Sequence, residues 1–336
     1  MATAQRFEGW RDGMSVWKTE NASSGGTIVT AGQQGGPAMI RNDFRRNWKV
    51  YVMALPVIAF YIIFCYGPMY GLSMAFVDFK PRLGVFGSPF VGLRYFKEFV
   101  TGPYFVRLVS NTFLLNLWGL VFGFPAPILL ALMLNEVGNR RFKRTVQTIT
   151  YMPHFISLVV VCGLIRIFCA SDGLINSIIA FFGGERSPLL ADSSYFRAIY
   201  TISGIWQNVG WDSIIYLAAI SGINPELYES ATIDGAGRLR RMWHITIPGI
   251  MPTMTILLIF AIGGMLGSAH EKIILLYSPI IYETSDVIAS YVYRRGLQEF
   301  DYSYSTAVGL LSSIINFIFL WFANAAARKM SDTSLW

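Results

Sequence analysis

The sequence predicts an all-α, polytopic membrane protein with six transmembrane helices, and two observations carry that prediction. Of its 336 residues 54% are hydrophobic and only 14% are charged, against about 25% charged in an ordinary soluble domain; mean hydropathy is +0.46. The apolar residues are also gathered into six runs. Each run approaches the ~20 residues that a helix needs to cross ~30 Å of hydrocarbon, and a helix satisfies its own backbone groups in lipid. A water-soluble globular enzyme is excluded on these grounds.

Residues 1–45 read as a flexible cytosolic tail, polar throughout and Ser/Gly/Thr-rich at 21–36 (NASSGGTIVTAGQQGG), with a candidate amphipathic helix at 7–17 and no signal-peptide core. The membrane domain then occupies 46–336. Its apolar runs lie at 50–66, 112–134, 155–169, 198–220, 247–269 and 307–327. The connection at 67–111 contains LRYFKEFVTGPYFVRLV (93–109), an amphipathic stretch expected to lie as one helix at the outer interface.

Basic residues set the orientation. With the N-terminus inside, 16 of the 27 Lys and Arg residues face the cytosol: seven in the tail, Arg140, Arg141, Lys143 and Arg144, then Arg238, Arg240 and Arg241, and finally Arg328 and Lys329. Ten lie outside and Arg166 lies within a run. The positive-inside rule therefore predicts a multi-pass protein of the cytoplasmic (inner) membrane with both termini cytosolic. The whole excess of +7 falls on the inner side, so the pI of about 9.3 reports orientation toward anionic lipid and gives no reason to expect a nucleic-acid partner.

Cys65, Cys162 and Cys169 sit in or beside apolar runs with no metal-ligand spacing, and read as small buried hydrophobes. His154, His244 and His270 are far apart in the chain and are expected near different membrane faces, so neither a metal site nor a catalytic site is predicted. There is no GxxxxGK[ST] phosphate loop. Gly263 and Gly267 form a GxxxG that would let helices approach closely.

Ionisable groups inside spans are costly, about 2.5–3.5 kcal/mol each at mid-bilayer, so those present are informative. Asn208, Asp212 and Tyr216 recur every four residues and share a helix face, flanked by Gln207 and Trp211. Such a stripe suits a wet sugar path, in which hydroxyls find hydrogen bonds and pyranose faces rest on aromatic rings. It equally suits a carboxyl that holds helices together. Arg166, near the outer end of the third run, can snorkel to the interface or meet an acidic substrate.

The loop before the fifth run carries the sharpest signal. Asn224-Pro225-Glu226 is a helix start, with a cap, a proline at the first position and an acid in the first turn; Gly235-Ala236-Gly237 is a stop. Residues 229–248 read ESATIDGAGRLRRMWHITIP. This resembles the EAA loop of ABC-importer membrane subunits, with Glu229, Ala231, Asp234, Gly235, Ala236, Ile245 and Pro248 in register and Ser230 and Ile247 as departures. The stretches at 122–136, 151–163, 210–229 and 275–296 look like the oligosaccharide and polysaccharide branch of that family, which includes importers of acidic polysaccharide such as alginate.

The resemblance implies a type I ABC-importer permease fold, with a cytosolic coupling helix at about 225–237. It further implies a second homologous permease, two ATPase subunits that dock on the coupling helices, an external substrate-binding protein and an oligosaccharide substrate. ATP and Mg would be bound and turned over on the partner ATPases, leaving this chain without catalysis or cofactor. Glu229 would be the polar anchor, Ala231 would allow close approach, and Gly235 would make the turn. The alternatives are an ion-coupled secondary transporter, with Asp212 holding the ion, and a membrane-embedded enzyme.

Overall fold

The computed structural model describes residues 37–267 and 270–330. The candidate helix at 7–17 and most of the expected tail lie outside the described residues. The chain divides into two compact units, Met1–Pro68 and Met69–Trp336.

In the first unit, helix α1 (Pro37–Phe60) starts nine residues ahead of the expected domain boundary at 46 and runs into a wide π-turn at Tyr61–Tyr66. Asn47 leaves helical geometry (φ −112°, ψ 20°) and kinks it, and Pro56 removes one backbone amide from the ladder. From Trp48 to Tyr66 nearly every large side chain is apolar and exposed, including Val50, Met53, Ile63 and Phe64. A helix apolar all round belongs in lipid or against other helices.

In the second unit the connection expected to hold one amphipathic helix holds two, α2 (Arg94–Thr101) and α3 (Phe105–Trp118). The break is at Gly102, which approaches the Glu98 and Phe99 carbonyls so closely that a Cβ would sit 2.9 Å from Glu98 O. The second half therefore joins the next span. That span continues from α3 through a π-turn at Gly119–Gly123 into α4 (Pro125–Glu136). Pro125 and Pro127 cannot supply amides to the turn before them, which is the physical cause of the interruption.

The third span differs most from expectation. Helix α5 (Arg140–Tyr151) is capped by Asn139, whose Oδ1 accepts from the amides of Arg141 (2.9 Å) and Phe142 (3.2 Å). A 3₁₀ turn at Met152–Phe155 follows, then α6 (Leu158–Cys169) and α7 (Leu174–Phe181). Helix α8 (Ser193–Ser221) passes alongside, 29 residues long, or about 43 Å at 1.5 Å per residue. A methyl on Gly210 would overlap the Thr150 carbonyl, so the end of α5 lies against the middle of α8. The third stretch able to cross a membrane, Leu158–Phe181, joins α6 to α7 and so ends twelve residues past the expected 169.

The α8 helix begins at Asp192, whose carboxylate accepts from the Ser194 amide (2.8 Å) and hydroxyl (2.7 Å); these two donors hold it below the usual carboxylate range. It is followed by α9 (Pro225–Ile233), a turn of helix at Arg238–Arg241, a π-turn at Met242–Thr246, and α10 (Ile247–Gly263). The fifth span ends at Gly263, short of the expected 269. Gly263 packs on Leu320, 2.6 Å from where a Cβ would be, and Gly267 lies beyond the helix. The GxxxG is therefore not a continuous helix face, and its first glycine serves packing within the chain.

Helices α11 (His270–Leu276), α12 (Ile288–Tyr293) and α13 (Tyr302–Met330) complete the unit. Five described stretches are long and apolar enough to cross a membrane: Arg46–Phe76, Phe105–Glu136, Leu158–Phe181, Arg238–Gly263 and Tyr302–Arg328. The remaining expected span is α8, ample in length but less apolar because it carries Gln207, Asn208 and Asp212. The described residues contain no strand, only two isolated bridges. Cys162 and Cys169 are buried with Phe196, Ile273 and Val287 as expected of small hydrophobes, whereas Cys65 is exposed.

Candidate functional site

Two places concentrate polar or exposed groups. The first lies midway along α8, where the break between α5 and α6 meets it. His154, in the 3₁₀ turn, stacks flat on Trp211 with ring centroids 4.6 Å apart and planes 2° from parallel. Its Nδ1 is 3.0 Å from Asn208 Oδ1, and Asn208 Nδ2 donates to the Gly204 carbonyl at 3.1 Å. Phe155 meets the Trp211 ring edge-on at 5.5 Å. Trp211 is 42% exposed and Phe155 72% exposed, so an aromatic platform stands open beside a polar stripe.

Asp212 is exposed and borders two adjoining cavities. One, of about 340 Å³, is walled by Asn116, the Gly119–Gly123 turn, Tyr216 and Leu257. The other, of about 200 Å³, is walled by Tyr200, Thr201, Gly204 and Asn208. The Thr201 hydroxyl, on a residue 7% exposed, has no hydrogen-bond partner among the described residues. The interrupted second span supplies the small residues that leave this room.

The predicted stripe is thus only partly realised. Asn208, Trp211 and Asp212 come together. Tyr216 is 2% exposed and packs with Ile128, Leu132 and Ile250, so it borders its cavity as part of the core. Gln207 is buried. Arg166 lies elsewhere: its Nε donates to the Leu275 carbonyl at 2.7 Å, and it lines a separate cavity with Pro188 and Tyr277. His154, Phe155 and Thr201 were missed. Proline at 153, two residues ahead of the expected third run, was the available sign that the helix there is interrupted.

The second place is the loop after α8. Asn224 Oδ1 accepts from the Glu226 amide at 3.1 Å and starts α9. The helix ends in a Schellman motif: the Gly235 amide donates to Thr232 O (3.1 Å) and the Ala236 amide to Ala231 O (2.9 Å), with Gly235 at φ +75°. Ala231 and Ala236 are half-buried against this stop, while Glu229, Asp234, Leu227 and Ile233 are exposed. Tyr228 Oη is 3.0 Å from Thr246 Oγ1, and Arg241 Nη1 donates to Thr232 Oγ1 at 2.7 Å. These contacts bind α9 to the residues that lead into α10. Ile245 is half-buried and Pro248 stands in the first turn of α10. Among the described residues no group of His, Cys, Asp and Glu could hold a metal.

Residues 123–332 match the model of the family described as binding-protein-dependent transport system inner membrane component. The chain is 44% identical over 288 residues to the polygalacturonan/rhamnogalacturonan transport system permease protein YteP of Bacillus subtilis, covering 85% of this chain and 90% of that protein. It is similar, at 44% identity and a TM-score of 0.81, to a chain of a solved bacterial ABC transporter involved in the import of the acidic polysaccharide alginate, covering 87% of this chain and 99% of the other. A solved bacterial alginate ABC transporter in complex with an alginate pentasaccharide-bound periplasmic protein gives 43% identity and a TM-score of 0.80, covering 88% and 99%.

Proposed function

The chain belongs to the family of binding-protein-dependent transport system inner membrane components, and on that premise we propose that it couples ATP hydrolysis on partner subunits to the passage of uronate-containing oligosaccharides such as those of alginate. It is a permease subunit of a carbohydrate ABC importer, with the permease fold of that class. Membership sets aside the secondary transporter and the membrane-embedded enzyme.

The observation that carries the coupling reading is α9. It is a short, stopped helix that presents Leu227, Glu229 and Ile233 outward while Tyr228 and Thr232 bind it to the start of α10. A push on such an element passes into a span instead of being absorbed by a loose loop. In this reading α9 sits in a cleft of a cytosolic ATPase, Glu229 is its polar anchor, and both chain termini are cytosolic. A second, homologous permease completes the path, two ATPases bind ATP and Mg, and their closure rocks the spans as rigid bodies between inward- and outward-open states. An external binding protein delivers the sugar.

Asn208, Trp211 and Asp212, with His154 and Thr201, are the path residues in this proposal. Trp211, backed by His154, offers a ring to a pyranose face; Asn208, Thr201 and Asp212 offer hydrogen bonds to hydroxyls. The acidic substrate class is supported by what the two similar systems carry, since polygalacturonan and alginate are both polyuronates. Glu229→Lys is expected to abolish ATP-driven uptake in proteoliposomes of the assembled importer while membrane insertion stays normal. Uptake retained at normal protein level would overturn the coupling assignment.

A further inference from the structure

Building on the uronate reading above, we propose that Arg107 and Arg197, beside the Arg294–Asp286 ion pair, form a carboxylate-binding mouth at the end of the path remote from α9, where the ring-borne carboxylates of a uronate chain are met as it enters. The polar file on α8 does not stop at Thr201. Arg197, Thr201, Gly204, Asn208 and Asp212 follow one another at steps of four, three, four and four residues, which is a single helix face. From Arg197 to Asp212 the file runs about 22 Å at 1.5 Å per residue. The second span faces it along its length: Arg197 Nη2 donates to Asn111 Oδ1 at 3.1 Å, and Gly119 and Gly123 wall the cavity around Asn208 and Asp212.

At the top of this file the charges do not balance locally. Asp286 is fully buried and is taken up by Arg294, which donates from Nη2 at 2.8 Å and Nη1 at 3.3 Å. Arg107 stands 3.7 Å from the same carboxylate, with its side chain 35% exposed. Among the described residues the hydrogen-bond partner of Arg197 is the neutral Asn111 amide oxygen, and Asn111 in turn donates to the carbonyls of Glu283 and Asp286. The Nε atoms of Arg107 and Arg197 are buried without a hydrogen-bond partner among the described residues. Glu283, the other acid here, is exposed.

Two partly buried guanidiniums are therefore left short of counter-charge beside a carboxylate already spent on a third. Aromatic faces complete the site: Arg107 lies 4.9 Å from the Tyr104 ring, and Arg294 lies 4.7 Å from Tyr282. Arginine presents paired donors that match a carboxylate, and tyrosine presents a flat surface to a sugar ring.

The test compares uptake of an alginate oligosaccharide and an oligogalacturonate with uptake of their carboxyl-reduced, neutral counterparts, using the assembled importer in proteoliposomes. In Arg197→Gln and Arg107→Gln the KM for the uronates is expected to rise about tenfold, as for loss of one charge-assisted hydrogen bond, with the neutral sugars within twofold. Arg197→Lys is expected to recover most of the loss. A change shared equally by acidic and neutral sugars, or no change in either, overturns the mouth. If the wild-type importer itself does not distinguish the acidic sugars from the reduced ones, the substrate class proposed above fails instead.

Discussion

The loop that holds α9 and the middle of α8 are both central to the proposed transport cycle, yet they are built by opposite means. α9 is local. Its cap, its stop and its outward face come from about a dozen consecutive residues; the hydrogen bonds of its cap and stop reach no more than five positions along the chain, and those that tie it to the lead into α10 reach nine and eighteen. The site at mid-α8 is assembled from afar: His154 meets Asn208 across 54 positions, and the second span contributes Gly119, Gly123 and Asn116. Damage to the first should uncouple an intact permease, and damage to the second should dismantle it.

The largest effect is expected where the distant parts touch. Gly210 lets the α5 end lie directly on α8, and the obstacle to any side chain there is the backbone carbonyl of Thr150, which cannot swing away. Gly210→Ala should cost roughly 3 kcal/mol, at the upper end for overpacking. It should separate His154 from Trp211 and lower the thermal midpoint in detergent by several degrees or prevent accumulation. A variant that accumulates normally with an unchanged midpoint would show that α5 and α8 are not held in this register.

This contrast also explains what the sequence made legible. The five stretches long and apolar enough to cross a membrane each overlap an expected run because lipid-facing helices must be apolar, and the start of α9 at Pro225 was legible because caps are local chemistry, although the helix stops at Ile233, short of the expected 237. Helix α5 was not foreseen as a helix because, with four basic residues in its first turn and a half, it has the composition of a loop. The helix break at Met152–Phe155 depends on how α5 and α6 pack on α8, and no pattern within either segment encodes it beyond Pro153. Tyr216 shared a face with Asp212 in the helix count, but only tertiary packing against Ile128 and Ile250 assigns it to the core. The arginine mouth was hidden because Arg107, Arg197 and Arg294 lie in three separate stretches and were counted simply as outer charges.

A smaller effect is expected at the local element. Gly235 holds φ +75° at the α9 stop, where a β-branched residue costs about 1–2 kcal/mol. That penalty falls on one turn and leaves the spans alone. Gly235→Val should therefore reduce ATP-driven uptake severalfold with little change in thermal midpoint, and Gly235→Asn, which tolerates the left-handed region, should be milder. If valine lowers stability as much as the Gly210 substitution, the loop is not the independent unit described above.

The smallest effect tests whether the distant packing carries an electrostatic cost. Lys272 on α11 is 6% exposed; its Nζ donates to the Tyr200 carbonyl at 3.0 Å and lies 4.7 Å from the Tyr200 ring, with Cys162 nearby and no carboxylate partner among the described residues. Burial pulls its ammonium down to about 8. Between that value and the ordinary lysine range the unfolded chain keeps a proton that the folded chain has released. Stability should then rise with pH from about 8 to about 10, because the unfolded state binds more protons there. Lys272→Met, which keeps the stem and removes the charge, should lack this rise. Thermal midpoints measured in detergent at several pH values should show wild type gaining on the variant as pH increases. Parallel curves would mean that the Lys272 head group reaches water, and that the packing of α11 on α8 is looser than these distances describe.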